Sequence, residues 1–555
     1  MNEFEHWENE IKRGKDYRKT YGAEAKWKEY RDYYRHNFPE ELKYNLVYSS
    51  IAAEAPAVLY SFPHISVSPI RSGYEPFAYV LEAIDNRLVK QQNLGEECED
   101  ILVDIPTCGI GCMVMGYDSQ FGYSLKTGET STRFGSHSEK IEYESTIKKG
   151  MPWALRCMPE DFVVPWGTNR FSGAPWVAFR SVRALQDAKE EKKYSAKGKA
   201  ELNASMTTNT EGKYPDELSP VFIWQIHDLR SGNLFVFAEG GTQFLRKEAD
   251  TLQTSLGLPA ETIQFIKDPQ WMWGIPEVRY YEGFQKEINE IISQRSAFRK
   301  VGLLRFLYLK GVIEEGEMKK MMGPEPVVGI EIEKSLGTNV NDLIQTFQPA
   351  IPHDLTPVKA DLREDVRELT GKSKMYMGEN APRSHTTKFE VQTVTDNASG
   401  RDRKKREKMG RFIERIIAKE NELIFRHWTD KQVEYVVGPD LVGYWVEFKG
   451  TQLKSEYLVN VAVDDMTPVT RETKLAEAQA LLQMMGQDPM FQQMYPEAGM
   501  QVRKMILTQF SWLNFSQFQP REGVGGSEEK PMGMEQFAGA FPEMRKKGNA
   551  QMQMQ

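Results

Sequence analysis

Residues 273–300, WGIPEVRYYEGFQKEINEIISQRSAFRK, restrict the fold more than any other stretch of the chain. After the Trp-Gly-Ile-Pro turn, one series of positions recurs every three or four residues. We call this series the 281–298 stripe, and it consists of Tyr281, Phe284, Ile288, Ile291, Arg295 and Phe298. Such spacing is typical of a helix whose apolar side meets other helices. A guanidinium is rarely buried without a partner, so Arg295 is unexpected in a closed core. We therefore predict a half-buried helix over 276–300 that packs on something outside its own domain.

The length and charge of the chain exclude several classes of protein. With 555 residues it is long enough for about three or four domains. Its net charge is −8, whereas a protein that reads nucleic-acid sequence usually carries a basic surplus. Tight binding of DNA across the whole surface is therefore excluded, although DNA could still pass beside or through the protein. The sequence contains no apolar run of about 18 residues, and its charged first residues predict neither a membrane span nor a secretion signal.

A second helix and a long third one follow the first. Residues 356–370 have Thr356 as a predicted N-cap, Pro357 at the first helical position, Val358, Leu362 and Leu369 on roughly one face, and Gly371 just past the end. The intervening residues, 301–355, form a compact α/β insert, and GKSKMYMGENAPRS at 371–384 is a loop. From His385 to Trp428 the pattern predicts one long helix. Its apolar face is formed by Met409, Phe412, Ile413, Ile416, Ile417, Leu423 and Ile424.

The basic run RDRKKREK at 401–408 lies on this long helix. It could touch phosphates, but a solvated helix face is the simpler interpretation. Beyond Trp428 three short strands are expected, followed by two helices within 467–515 and a tail from 516 to 555 that is expected to be disordered.

Residues 1–275 alternate helical and extended patterns, which predicts a mixed α/β region. Within this region the segment EPFAYVLEAIDNRLVKQQ is predicted to be a helix. The clearest hairpin is VFIWQIHDLRSGNLFVFAEG, which turns at Ser231, Gly232 and Asn233. The glycines of GIGCMVMGYD at 109–118 predict a bend into a strand, because no helix follows to hold a phosphate. Residues 184–217 contain few large apolar side chains, so we expect a mobile excursion or a solvated helix.

The sequence offers little sign of catalysis. It has no phosphate-binding G-x-x-x-x-G-K-[ST] motif, and no cofactor is predicted. Cys108 and Cys112 are the only close cysteine pair, so they are interpreted as ordinary thiols of a reducing compartment rather than a zinc site. His227 beside Asp228 is interpreted as a hairpin-end pair. Asp464 and Asp465 could hold magnesium for nuclease chemistry, although adjacent acids on a strand point to opposite faces.

The order of these elements resembles the portal, or head–tail connector, proteins of tailed bacteriophages, of the podovirus-like and siphovirus-like kind. Local phrases also resemble that family, and the likeness spans roughly residues 20 to 515. The phrases are YNLVYS near the start, PEDFVVPWGT, WGIPE, QKEINEIISQR, and SHTTKFE before the long helix.

The resemblance implies an α+β portal fold that assembles as a closed ring. It implies a wing at 1–275, stem helices at 276–300 and 356–370, a clip at 301–355 and a tunnel loop at 371–384. A long wing helix and β segment would occupy 385–466, and crown helices 467–515. The 281–298 stripe would pack against the partner stem helix and neighbouring subunits. The tunnel loop would bring Lys372, Lys374, Met375, Tyr376 and Arg383 to the DNA.

The resemblance also implies partners and a location. The protein would form a dodecamer at one capsid vertex, assembled in the host cytoplasm, through which double-stranded DNA passes without sequence preference. Its partners would be the major capsid protein, the large terminase subunit, head–tail adaptor or neck proteins, and a scaffolding protein, with no membrane. Two alternatives remain: a metal-dependent DNA-processing enzyme that uses Asp464 and Asp465, and a capsid scaffold that forms no channel.

Overall fold

The computed structural model describes residues 2–38, 44–118, 150–203, 220–301, 305–308, 344–347, 355–372, 388–429, 431–437, 443–466 and 532–539. By their contacts, the residues divide into two compact units. Unit 1 comprises 1–31, 50–277 and 387–555, and unit 2 comprises 32–49 and 278–386. The predicted α+β class is confirmed.

Eleven helices longer than one 3₁₀ turn lie within the described ranges. They are α1 (Glu3–Tyr21), α2 (Glu24–Tyr34), α3 (Leu46–Val58), α4 (Glu75–Gln92), α5 (Leu94–Cys108), α6 (Leu185–Glu190), α7 (Ala196–Ala200), α8 (Val278–Val301), α9 (Leu355–Thr370), α10 (Lys388–His427) and α11 (Met534–Gly539). Among these helices none is long and apolar enough to span a bilayer.

The strands described are β1 (Ile65–Pro69), β2 (Gly111–Asp118), β3 (Met151–Cys157), β4 (Phe162–Val163), β5 (Trp176–Ala184), β6 (Pro220–Asp228), β7 (Asn233–Ala238), β8 (Arg246–Ala249), β9 (Ala260–Ile263), β10 (Arg305–Tyr308), β11 (Ile344–Phe347), β12 (Gln432–Val437), β13 (Gly443–Phe448), β14 (Tyr457–Val461) and β15 (Met532–Gly533). In unit 1 they form a five-stranded sheet of order β4-β5-β6-β7-β8, a sheet β3-β2-β9, a sheet β12-β13-β15 and the pair β1-β14.

The largest core of unit 1 forms around helix α10. All seven residues of its predicted apolar face are buried, from Met409 to Ile424, so this prediction is confirmed. All of them except Leu423 pack with buried residues of α4, α5 and strands β1, β13 and β14. The bounds of α4 are those of the predicted segment EPFAYVLEAIDNRLVKQQ, whereas α5 was not predicted.

The two faces of the five-stranded sheet pack against different elements. Helix α1 covers one face with Phe4, Trp7 and Ile11. The opposite face contributes Val177 and Phe179 to a core shared with the sheet β3-β2-β9. The predicted hairpin is confirmed as β6 and β7, which pair antiparallel from Asp228 opposite Asn233 to Ile223 opposite Ala238.

Two segments expected to be mobile or disordered contribute to cores instead. Within 184–203, Leu185 and Ala188 of α6 and Leu202, which follows α7, are buried with residues of the five-stranded sheet, so the expectation of a solvated excursion is wrong there. In the tail, β15 pairs in parallel with β13, and Met534 and Phe537 join the core around α10. Disorder is therefore wrong for 532–539, and the rest of both segments lies outside the described residues. Sparse apolar residues can still pack when each one meets a sheet face.

The glycine pattern near residue 109 has a packing role. As predicted, GIGCMVMGYD bends from α5 into strand β2, with Gly109 at φ 84°. A Cβ on Gly109 would lie 2.3 Å from the carbonyl oxygen of Gly274, and one on Gly274 would lie 2.1 Å from that of Gly109. The TCGIGC turn and the WGIPE turn therefore touch backbone to backbone, an approach open only to glycine.

The four cysteines are buried and form no disulfide bond. Burial raises the pKa of Cys108 to about 11, so the thiol stays protonated near neutral pH.

Candidate functional site

The candidate site is the helix pair α8 and α9 of unit 2, which contact each other. Helix α8 begins at Val278, and its bounds agree with the predicted helix at 276–300. Helix α9 begins one residue before the predicted N-cap, Thr356, and ends as predicted before Gly371, which has φ 72°. Between the two helices, the described residues include the antiparallel pair β10 and β11, with Arg305 opposite Phe347.

The chain itself covers much of the 281–298 stripe. Tyr281, Ile288 and Ile291 are buried, Phe284 and Phe298 are half-buried, and Arg295 is exposed. The expected contact of the stripe with neighbouring subunits stays a prediction, and three of its members are already buried by the chain itself. Their burial requires no second copy of the chain.

Two buried polar residues on α8, which the sequence analysis missed, bind the segment that enters α3. The side-chain oxygen of Gln285 accepts a hydrogen bond from the Leu46 N–H at 2.7 Å, and its amide nitrogen donates to the Tyr44 carbonyl at 2.6 Å. Asn289 accepts from the Tyr44 N–H at 2.9 Å. Gln285 thus satisfies an N–H at the first turn of α3, a group that has no partner within its own helix. Their signal in the sequence is an i,i+4 amide pair beside an apolar stripe.

Helix α9 leaves its predicted apolar face open. Val358 is 41% exposed, Leu369 is 47% exposed and Leu362 is half-buried. Among its described side chains, the buried ones are Val366, at the edge of this face, and Arg367, on the opposite side of the helix. Isolated exposed leucines are common, but three apolar residues on one helix face form a surface that can receive a partner.

Three cations gather where α8 and α9 meet the Tyr44 segment. Lys359 Nζ lies 5.2 Å and Arg363 Cζ 5.3 Å from the centre of the Tyr44 ring. Burial lowers the pKa of Lys359, and the positive charges of Arg363 and Arg295 lower it further. Cations over an aromatic face are stabilised by its quadrupole, while their mutual repulsion favours a nearby anion.

Of the five residues expected in the tunnel loop, the structure describes only Lys372. Its side chain is 5% exposed, so in the single chain it does not face solvent. Lys374, Met375, Tyr376 and Arg383 lie outside the described residues, as do 467–515, where crown helices were expected.

The turn that leads into α8 is tied to the long helix within unit 1. Lys405 of α10 forms ion pairs with Glu54 of α3 and, at 2.8 Å, with Glu277, the residue before α8. Burial alone would lower the pKa of Lys405, but the two carboxylates raise it. The interpretation of 401–408 as a solvated face therefore holds for Arg401, Arg403 and Lys404, which are exposed, and is wrong for Lys405.

Of the residues considered for catalysis, the side chains of His227 and Asp228 are described, and they do not pair with each other. Asp464 and Asp465 belong to a 3₁₀ turn, Val463–Met466, rather than to a strand, and their side chains lie outside those described. No group of three potential metal ligands occurs among the described residues. His227 pairs with Asp250, at 2.6 Å, and not with Asp228, which instead accepts from Ser231 N–H in the hairpin turn.

Comparison with known proteins gives a likeness among solved structures. A scan of protein families finds no family that matches the chain, and a search of curated proteins finds no match either. Among solved structures, the chain is similar to one in a structure described as "Virion of native gene transfer agent (GTA) particle". The likeness covers 83% of this chain and 89% of that one, with 9% sequence identity and a TM-score of 0.36. The proposed function therefore rests on this chain's own residues.

Proposed function

We propose that the protein is a portal subunit, which assembles into a closed ring at one capsid vertex and conducts double-stranded DNA during packaging and ejection. The observation that carries this proposal is unit 2. It consists of a contacting helix pair, α8 and α9, around an insert with an antiparallel strand pair, and the 40-residue helix α10 follows in the chain. This is the stem, clip, stem and long-helix order that the sequence resemblance implies.

The open face of α9 supports assembly. A ring closes by heterologous contacts, in which one face of each subunit meets a different face of the next. Val358, Leu362 and Leu369 supply an apolar face, and the cations Lys359 and Arg363 lie on the same helix. In the proposed ring, this helix would bury its apolar face against a neighbouring subunit.

The charge of the chain suits a conduit. Each phosphate that a protein neutralises releases counterions and strengthens binding. A net charge of −8 therefore limits the affinity of the protein for a duplex that must slide past it. We propose that Lys374 and Arg383 supply the few cations near the DNA, with Met375 and Tyr376 beside them. Lys372 is less suited to this role because its side chain is buried in the single chain. Residues 301–355 would dock the terminase and then the adaptor proteins.

The mass and shape of the purified protein test the ring. Mass photometry should give about twelve times 63.9 kDa, and negative-stain images should show rings with a central hole. The double variant Val358→Asp with Leu369→Asp should abolish the ring while the circular-dichroism spectrum is retained. Leu256→Asp, which alters a 55% exposed leucine of unit 1, is the matched control and should leave the ring intact. A monodisperse monomer of the wild-type chain would refute the proposal.

A further inference from the structure

One face of helix α10 carries a row of basic side chains. Lys404, Lys408 and Arg411 recur at intervals of four and three residues, so they lie on the same side of the helix. Lys267, in the segment 264–268 that follows β9, lies near Lys408. We call these four residues the α10 basic patch. All of them belong to unit 1.

Three members of the patch are available to a ligand. Lys267, Lys404 and Arg411 are exposed. None of the three forms an ion pair or a hydrogen bond with another residue in the part of the chain that the structure describes. Each therefore carries a full positive charge that no carboxylate of the described chain compensates.

The acidic side chains next to the patch in sequence are engaged elsewhere. Asp268 accepts a hydrogen bond from the Gln270 N–H at 2.8 Å. Glu407 lies 3.6 Å from Arg403, on the side of the helix away from Lys408. The patch thus keeps a local excess of positive charge although the whole chain is acidic.

Like charges crowd around Lys408, the half-buried member of the patch. Its Nζ donates to the backbone oxygens of Gln264 and Phe265, at 3.3 and 2.7 Å, so it has hydrogen-bond partners but no opposite charge. Burial lowers the pKa of Lys408, and three positive charges lower it further, those of Lys267, Lys405 and Lys404. Of these three, only Lys405 has carboxylate partners. An anion bound beside Lys408 would offset the remaining repulsion.

The extent of the patch indicates what kind of anion it fits. Lys404 and Arg411 are seven residues apart, which is about 10 Å along the axis of the helix. A single phosphate group is too small to reach both. Cations at regular intervals along a straight helix instead match a ligand whose negative charge is repeated along its length, as in a nucleic-acid backbone.

The surroundings of the patch favour a nucleic acid over an acidic protein. Among the large hydrophobic side chains that are exposed in the described chain, none comes from 400–427 and none from 260–268. A protein interface needs an apolar core, which this surface does not offer. Sequence-independent binding of a phosphate backbone needs only cations.

We propose that the α10 basic patch binds the phosphate backbone of double-stranded DNA without reading its sequence. The choice of DNA as the polyanion rests on the proposed function, whereas the binding itself does not require a ring. The patch would be a contact in addition to Lys374 and Arg383, because it lies in unit 1.

Fluorescence anisotropy of a labelled duplex of about 20 base pairs, titrated with the full-length protein at about 50 to 200 mM salt, tests the patch. The double variant Lys404→Gln with Arg411→Gln should bind about ten-fold more weakly at the lowest salt. The slope of log binding constant against log salt concentration should also fall in magnitude by about two, one for each lost phosphate contact. Unchanged affinity and slope would overturn the proposal.

A second double variant separates the patch from net charge. Lys189→Gln with Lys197→Gln removes the same charge from two exposed lysines of α6 and α7, also in unit 1. It should leave both the affinity and the salt slope unchanged. An equal loss in this control would show a general effect of charge and overturn the assignment to α10.

Two further probes test the class of ligand. Duplexes of unrelated sequence should bind equally, and a preference above about ten-fold would overturn backbone binding. Tighter binding of a labelled polyglutamate chain of matched charge than of the duplex would overturn the proposal in favour of an acidic protein segment. Mass photometry of the same samples keeps the two proposals apart. A monomeric wild type refutes the portal function, whereas the salt slopes still decide whether the patch binds DNA.

Discussion

Replacement of Glu420 with glutamine tests how much a buried acid makes the stability of the core around α10 depend on pH. The Glu420 side chain is buried, and its Oε1 has no hydrogen-bond partner among the described residues. Burial raises the pKa of Glu420 from 4.5 to about 8, an effect that a hydrogen bond with Gln92 only partly offsets. Asp85 and Asn421, hydrogen-bonded at 3.1 Å, lie in the same core, and burial also raises the pKa of Asp85.

The sign of the pH dependence follows from the direction of this shift. Because the folded pKa of Glu420 is raised, the contribution of this residue to stability is fully present below about pH 4.5 and is lost as the pH rises through about 8. Each pKa unit corresponds to about 1.4 kcal/mol, so the folded state loses about 3 kcal/mol relative to the unfolded state between pH 4.5 and pH 7. Glutamine cannot ionise, so the variant should not lose this amount.

Urea unfolding of wild type and Glu420→Gln across this pH range measures the effect. Taking the difference between the two proteins at each pH cancels most of the titration of the other carboxylates. The difference in the free energy of unfolding, variant minus wild type, should increase by about 3 kcal/mol as the pH rises from 4.5 to 7. Glu407→Gln removes a carboxylate that is 43% exposed on the same helix and reports the effect of lost charge alone. A difference that stays constant with pH would refute the reasoning.

Three further substitutions test individual contacts. Gln285→Leu should lower the free energy of unfolding by about 3 kcal/mol, because it leaves buried backbone groups near α3 without partners; the exposed Gln294→Leu on the same helix is the control, and urea unfolding compares them. Gly274→Ala should lower the thermal midpoint, since its Cβ would lie 2.1 Å from a backbone oxygen, whereas Gly283→Ala, with open space around it, should be neutral or stabilising. Phe537→Ala should destabilise unit 1 by about 3 kcal/mol or more in urea, and no measurable loss would show that 532–539 does not support the core.

Elements with strong local periodicity were predictable, and those decided by distant contacts were not. Helix α4 follows from its own apolar spacing, and the end of α9 follows from Gly371, the residue that most readily adopts positive φ. In contrast, the packing of Phe537 depends on strand β13 and helix α4, which are distant from it in the sequence and which no local pattern indicates.

The candidate site was predicted only in outline. Its two helices follow from sequence, because apolar residues at intervals of three and four identify the seam of a helix. The sequence does not indicate which apolar face stays exposed. Tyr281 and Val358 both lie in a series with helical spacing, but the tertiary structure buries Tyr281 and leaves Val358 exposed. Gln285 was missed for a related reason. Its role is to form hydrogen bonds with the Tyr44 segment, and the sequence does not indicate that this segment lies beside the helix.

The ion pairs of Lys405 and the apolar face that begins at Met409 belong to the same helix, and this fixes the number of residues between them. An α-helix turns about 100° per residue, so one residue inserted between these positions would rotate Lys405 away from Glu54 and Glu277 while the core stayed in place. An insertion of seven residues, close to two full turns, would restore the direction but shift the ammonium group by about 10 Å along the axis. This part of the chain should therefore accept changes of side chain far more readily than changes of length.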